Sequence, residues 1–367
     1  MTKYYLLPFR FTTIAGHEVL VNEVGDMLTA PMGTVKQIVM RTIDTSSDLY
    51  KSLVANFFLS EQRLPNLLDI YAERLAEKKR FLDDGTALHI FVLTLRCNQL
   101  CVYCQASSLE ECVSHATMSH DSMRYAVQHL FKSRSKHLTM EFQGGEPTLE
   151  PKLLRYGIEL AEEINQTEQR HMTYVLCTNC INLTEEVLQI CEQYNVLIST
   201  SLDGPSWLHN KNRGKEDSYE KVVKGITKAR ERLGNDRVSA LMTASENSLN
   251  FPKEIVDEYL SLGFTSIFLR ALNPYGKASE NNDWKLYTER FITFYKEAFE
   301  HILDINKQGQ IMIEEFAAII LRKIITPWCT GFVDLQSPAG IVNSVLIYNY
   351  DGYMYASDES RMLAENK

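Results

Sequence analysis

The sequence predicts an α/β fold built around a parallel sheet, on three observations. Apolar, β-rich segments recur at 88–95, 137–143, 171–178, 196–202, 238–243 and 266–272. Amphipathic helical segments fall between them, near 121–133, 151–166, 184–194, 218–233 and 252–261. The strands read as apolar throughout, the mark of a sheet covered by helices. Six such units fit an open doubly wound sheet or a partial barrel. In both, ligands collect at the carboxyl ends of the strands.

The flanks have patterns of their own. Residues 1–85 read as a small α+β domain. "LLPFRFTTI" and "HEVLVNEVGDMLTAP" are short strands punctuated by Gly16 and Gly25-Asp26. "TVKQIVMRTI", "DLYKSLVANFFL" and "LLDIYAERLAEKKRFLDDG" are helices, the last closed by Gly85. The β/α core occupies 86–280, and a helical segment follows over 281–327, with helices near 283–307 and 313–325. Residues 328–367 carry two β-rich runs around Asp351-Gly352, a hairpin signal.

Composition narrows the function. A chain of 367 residues that is 45% hydrophobic buries a large core and makes more than one domain. A net charge of −9 argues against a nucleic-acid surface. No apolar run reaches membrane-spanning length, "FAAIIL" being typical of the short ones. The start, "MTKYYLLPFRFTT", lacks a signal peptide's long apolar core. The expected location is the cytoplasm, with no membrane partner. There, cysteines serve metals or catalysis more often than disulfides.

Three of the eight cysteines fall in "TLRCNQLCVYCQ" (94–105), spaced C-x3-C-x2-C directly after the first strand. A structural zinc wants four ligands. An iron–sulfur cubane on three protein thiolates leaves one iron open to an outside ligand, which is a catalytic arrangement. A zinc loop completed by His115 or His120 is the alternative that the residues leave open. At the end of the second strand, "EFQGGEP" (141–147) adds two glycines that let backbone approach a ligand closely. Glu146, beside them, can accept from a ligand ammonium.

Together these stretches resemble the radical S-adenosylmethionine (SAM) superfamily, whose C-x3-C-x2-C loop follows the first strand of a partial (β/α)6 TIM-like barrel. The resemblance implies a [4Fe–4S] cluster on Cys97, Cys101 and Cys104, with Tyr103 as the usual aromatic before the third cysteine. It also implies SAM at Gly144, Gly145 and Glu146, its amine meeting the glutamate. "CTNC" (177–180) resembles the family's Thr-Asn-Gly, with Cys180 where glycine is usual and Asn179 near the cofactor. "STSLDGPSWLHNKNRG" (199–214) resembles the Ser-x-Asp-Gly-Pro…His…Arg signature of peptide- and protein-modifying members, including anaerobic sulfatase-maturing enzymes. That similarity puts Ser201 and Arg213 on SAM's ribose or carboxylate, with Gln143 nearby. In "FLRALNPYGKA" (268–278), Arg270 is either a closing contact over the cofactor or structural. Cys177 and Cys191 are expected in the core, and Cys112 in a loop. The implied chemistry is the cofactor's: a reduced cluster cleaves SAM to a 5′-deoxyadenosyl radical, which takes hydrogen from a substrate.

Over essentially its whole length the chain resembles the HxsB subgroup, the radical SAM maturases of His-Xaa-Ser systems. "PFRF…VLVNEVGD", "WCTGFVDLQSPAG" and "YNYDGYMYASDESRML" carry that resemblance. It implies a genetically encoded peptide substrate with a leader, a second maturase of the same system as possible partner, and an electron donor such as flavodoxin or ferredoxin. The amino-terminal domain is either a peptide-recognition module, taking a leader as an added strand, or a packing cap. A sulfatase-maturing-type enzyme and a non-catalytic metal-binding protein are the other classes kept open. The carboxyl end resembles the opening of a SPASM domain, yet no cysteine follows Cys329. An incomplete extension without an auxiliary cluster is the expectation.

Overall fold

The computed structural model describes residues 4–63, 68–113, 115–279, 283–326 and 328–365. The expected boundary at 280–281 and the closing Asn366-Lys367 lie outside them. Two compact units form: residues up to Asp83 with Lys323–Cys329, and Asp84–Arg322 with the chain from Thr330.

In the first unit, Phe9–Ile14, His17–Asn22 and Met27–Pro31 make an antiparallel sheet. Helices Thr34–Met40, Asp48–Ala55 and Leu68–Lys79 follow. Leu20, Ile38, Leu53 and Phe58 close its core. Glu18 is buried beneath, because its carboxylate accepts from the backbone of Gly33 (3.1 Å) and Val35 (2.7 Å) at the start of the first helix. Gly85 does not end the third helix; a 3₁₀ turn, Arg80–Leu82, does.

All six expected core strands form in the second unit: Leu88–Thr94, His137–Gly144, His171–Cys177, Leu197–Ser201, Val238–Ala244 and Ser266–Ala271. They lie in sequential order in one nine-stranded sheet, each parallel to the next. A doubly wound sheet needs a reversal of strand order, and there is none. Every crossover steps one place the same way, so right-handed connections put the helices on one face. Leu138, Phe142, Leu176, Ile198, Met242 and Leu269 are buried on that face. The alternate residues Glu141, Gln143, Cys177, Ser201, Thr243 and Arg270 look the other way and are partly exposed. Strands apolar throughout were expected; only the first, buried from His89 to Thr94, is so. The rest alternate because helices cover one side of the sheet. Cys177 accordingly sits on the open face and not in the core, whereas Cys191 is buried on its helix.

The first core strand is covered by an element the sequence placed apart. Val345–Tyr348 pairs parallel with Leu88–Phe91, and Met354–Tyr355 folds back on it as the expected hairpin. The hairpin therefore extends the central sheet and is not a separate appendage. At the other edge Ile313–Glu314 pairs with Ser266–Ile267, so the expected helix near 313 begins at Glu315.

A buried polar seam fastens the hairpin. His89 Nε2 donates to the Thr86 carbonyl (3.1 Å), leaving Nδ1 to accept from the Tyr348 hydroxyl (2.9 Å). His129 Nδ1 meets the same hydroxyl at 3.1 Å. Burial pushes His89 down from 6.5 to about 4. Below pH 6.5 an unfolded chain gains a proton that the folded His89 refuses until about pH 4, so stability falls with pH across that window. The expected outcome is a melting temperature that declines between those limits, with a shallower slope in His89→Gln. Calorimetry across that pH range on both proteins checks it, and equal slopes would contradict the assignment.

Candidate active site

The cysteine loop leaves the first core strand at Thr94 and is gripped by the ends of three other strands. From the second, Gly145 N donates to Thr94 O (2.7 Å) and Glu146 N to Arg96 O (2.8 Å). A Cβ on Gly145 would lie 2.3 Å from Arg96 O, and one on Gly144 2.2 Å from Thr94 O. The glycines thus admit the loop's own carbonyls. From the fourth strand comes helix Ser206–Arg213, which the sequence reading missed, because its apolar residues are too few to show a period. Its last carbonyls accept from the loop: Leu100 N to Arg213 O (3.3 Å) and Val102 N to Asn212 O (2.9 Å). From the sixth, Lys277 N donates to Cys104 O (3.1 Å).

Cys97, Cys101 and Cys104 are all partly buried. Gln99 N points to Cys97 Sγ (3.4 Å), Arg213 Nη1 to Cys101 Sγ (3.7 Å), and the Cys104 thiol to Ser108 Oγ (3.2 Å). Burial pushes Cys97 up to about 12 and raises Cys101 despite Arg213, so metal loading here releases protons. Among the described residues no three His, Cys, Asp or Glu side chains converge on one ion position. A cluster that presents a separate iron to each thiolate asks for no such convergence. His115 and His120 are exposed, and the His120 ring packs on Tyr156 at 4.8 Å.

Glu146 has another occupation than the one expected. It is fully buried, and its Oε1 accepts from Thr148 N (3.1 Å), Thr148 Oγ1 (2.6 Å) and Thr178 Oγ1 (2.6 Å). Oε2 accepts from Asn179 N (2.8 Å). Burial raises its pKa, and those four donors oppose the rise. The carboxylate braces the second and third strand ends against each other. Asn179 is equally engaged, donating to Asn98 Oδ1 (2.7 Å) in the cysteine loop and accepting from Ile181 N (3.0 Å). Cys180 follows at φ 58°, a left-handed position that suits the glycine usual there.

Arg213 also departs from expectation. Its Nε and Nη2 donate to the two oxygens of Asp203, each at 3.0 Å, in a fork buried on both sides. The Tyr103 hydroxyl donates to the same carboxylate (2.8 and 2.7 Å), and its ring lies 5.3 Å from the guanidinium. Burial alone would raise Asp203; Arg213 and His209 hold it low. His209, pushed by burial down to about 4, stays neutral and meets Ser218 Oγ (3.1 Å), which accepts from Gln99 (2.6 Å). Asp203, His209, Ser218 and Gln99 were not singled out from the sequence. Two of them stand in the quoted Ser-x-Asp-Gly-Pro…His…Arg stretch, so the signal was present. Gln143 and Ser201 lie apart, on the open face. Gln143 donates to Glu141, and Ser201 has no side-chain hydrogen bond among the described residues.

Residues 91–266 match the family model for the Radical SAM superfamily. Over that segment, just under half of its length, the chain matches the radical SAM superfamily. Its cofactors are a [4Fe–4S] cluster and SAM, the groups characteristic of radical SAM proteins. A cysteine-type anaerobic sulfatase-maturating enzyme of Clostridium novyi is 26% identical over 219 residues, 56% of this chain and 56% of that one. The chain thus spans about half the length of that curated relative. The structure of anSMEcpe with bound AdoMet and Kp18Cys peptide matches with TM-score 0.62 and 20% identity, covering 74% of each chain. Streptococcus suis SuiB bound to S-adenosylmethionine matches with TM-score 0.50 and 12% identity, over 95% of this chain and 81% of that one. These two likenesses are of fold. Among the described residues no helix is long and apolar enough to cross a membrane.

The bracing role of Glu146 has a measurable consequence. Glu146→Gln turns an amide hydrogen toward donors and removes a charge, a loss of about 1–3 kcal/mol of stability. The expected result is a lower melting temperature with SAM affinity little changed in the fraction that folds. Calorimetric melting and SAM titration together check it; weaker SAM binding at unchanged stability would return Glu146 to the ligand.

Proposed function

We propose that this chain is a radical SAM maturase that modifies a residue of a genetically encoded peptide, of the His-Xaa-Ser type. The observation that carries the chemistry is the three-thiol loop at the carboxyl ends of a parallel sheet, opening beside a polar sheet face. Its donor set fits the cofactor: three cysteines at C-x3-C-x2-C spacing, Cys112 exposed and outside that spacing, and buried partners already fixing two of the sulfurs.

In this reading Cys97, Cys101 and Cys104 hold the cluster. When bound, cluster and SAM supply an electron and a carbon radical that takes hydrogen from the substrate. Gly144, Gly145 and Glu146 fix the loop's entry, and Tyr103, Asp203 and Arg213 fix its middle. Gln143 and Ser201 face the open side of the sheet and are the residues proposed to touch SAM. In this reading the sheet curls as a partial barrel, and a substrate seated over its open face would shield that face from water. The Phe9–Ile14 strand lies at an edge of its sheet, and a leader peptide pairing there is compatible with the first unit. A flavodoxin or ferredoxin supplies electrons, and a second maturase is the proposed partner.

A second reading has support of its own. The cysteine-type sulfatase-maturating relatives favour a cysteine of a protein segment as substrate. Anaerobic co-expression with a His-Xaa-Ser repeat peptide, and separately with a sulfatase-derived peptide, distinguishes the two by the mass change on each.

For the chemistry itself, reconstituted protein is expected to bind one cluster's worth of iron and to release 5′-deoxyadenosine when reduced with SAM. The Cys97/Cys101/Cys104 triple alanine variant is expected to lose both. Deoxyadenosine above background from that variant would sink the assignment.

A further inference from the structure

The Asp203–Arg213 pair stands out because a buried ion pair could be satisfied without reaching the cysteine loop. Arg213 is 6% exposed and Asp203 fully buried. Asp203 takes Nε and Nη2 of the guanidinium, and the plane of the fork then leaves Nη1 directed at Cys101 Sγ, 3.7 Å away. Tyr103 locks the other side of the carboxylate from within the same loop, one residue before Cys104. The backbone of Arg213 also accepts from Leu100 N, the residue before Cys101. One residue thus holds the backbone leading into Cys101 and presents a cation to its sulfur.

We infer that Arg213, oriented by Asp203, is a positioning residue that hydrogen-bonds the Cys101 sulfur and sets the reduction potential of the cluster bound there, and is not a contact to SAM. The inference rests on the radical SAM reading of the three cysteines. A reduced cluster carries one more negative charge than the oxidised one. A buried donor with positive charge at a ligating sulfur favours the reduced form and raises the potential. Asp203 keeps the guanidinium from shifting off the sulfur, and because the pair is neutral as a whole, the effect depends on the nearer member.

The test is a redox titration monitored by EPR on anaerobically reconstituted wild type, Arg213→Met and Arg213→Lys, with iron content and SAM affinity measured on the same samples. Arg213→Met is expected to move the midpoint to more negative potential and alter the EPR line shape while SAM affinity stays close to wild type. Arg213→Lys keeps an ion pair with Asp203 but has no second nitrogen for the sulfur. It is expected to shift the midpoint the same way by less, and it carries the test should the methionine variant not fold. An unmoved midpoint in a folded, iron-loaded variant overturns the inference, as does a fall in SAM affinity without a change in potential. Wild type that binds no cluster fails the underlying reading instead, which keeps the two failures distinct.

Discussion

The carbonyls of Arg96, Leu100 and Cys104 each lie against a glycine contributed by a different strand end. Gly145, Gly214 and Gly276 occupy those places, and a Cβ on any of them would lie within 2.3–2.6 Å of a loop oxygen. Three such contacts bend one short segment around fixed points, and the curvature decides where its sulfurs emerge. The second, fourth and sixth core strands could not be shifted along their neighbours without pulling one of those points away. Sheet register and thiol spacing are therefore one constraint, and the sequential parallel order of the sheet meets it by bringing every strand end to one rim.

Around that loop, buried polar groups are matched with one another. Glu146 is answered by neutral donors from two strand ends, and Asp203 by a guanidinium and a phenol. An unpaired carboxylate in either place would be costly in a medium this poor in water. Because each acid is already satisfied by protein, the loop is held in shape before any cofactor arrives. Binding then need not supply the energy of ordering it. The polar residues left with spare capacity lie on the open sheet face, which is where a ligand gains most from them.

Much of this was legible in the sequence. The strand and helix positions follow from periodicity that burial on one face enforces, and the C-x3-C-x2-C loop could be placed because its strand is the most apolar of the six. What could not be read was the destination of long side chains. Glu146 and Arg213 are residue types that serve ligands and neighbouring loops equally well, and only the positions of Thr178, Asn179 and Asp203 reveal the protein partners each one meets. Helix Ser206–Arg213 was hidden because its role is to present backbone carbonyls, which leave no mark on side-chain pattern. The pairing of Val345–Tyr348 with Leu88–Phe91 escaped for another reason: nothing local to either segment names the other.

That last pairing has a consequence for how the chain assembles. His89 and Tyr348 are 259 residues apart, so the strand that carries the cysteine loop keeps one edge bare until nearly all of the second unit has left the ribosome. Contacts of such long sequence separation are slow to form, and an open strand edge invites pairing with other chains in the meantime. A nascent chain in this condition already displays its thiols on a support that is still incomplete. Metal delivered at that stage meets a loop whose supporting strand is unsealed. Sealing of that edge by the hairpin is what completes the support.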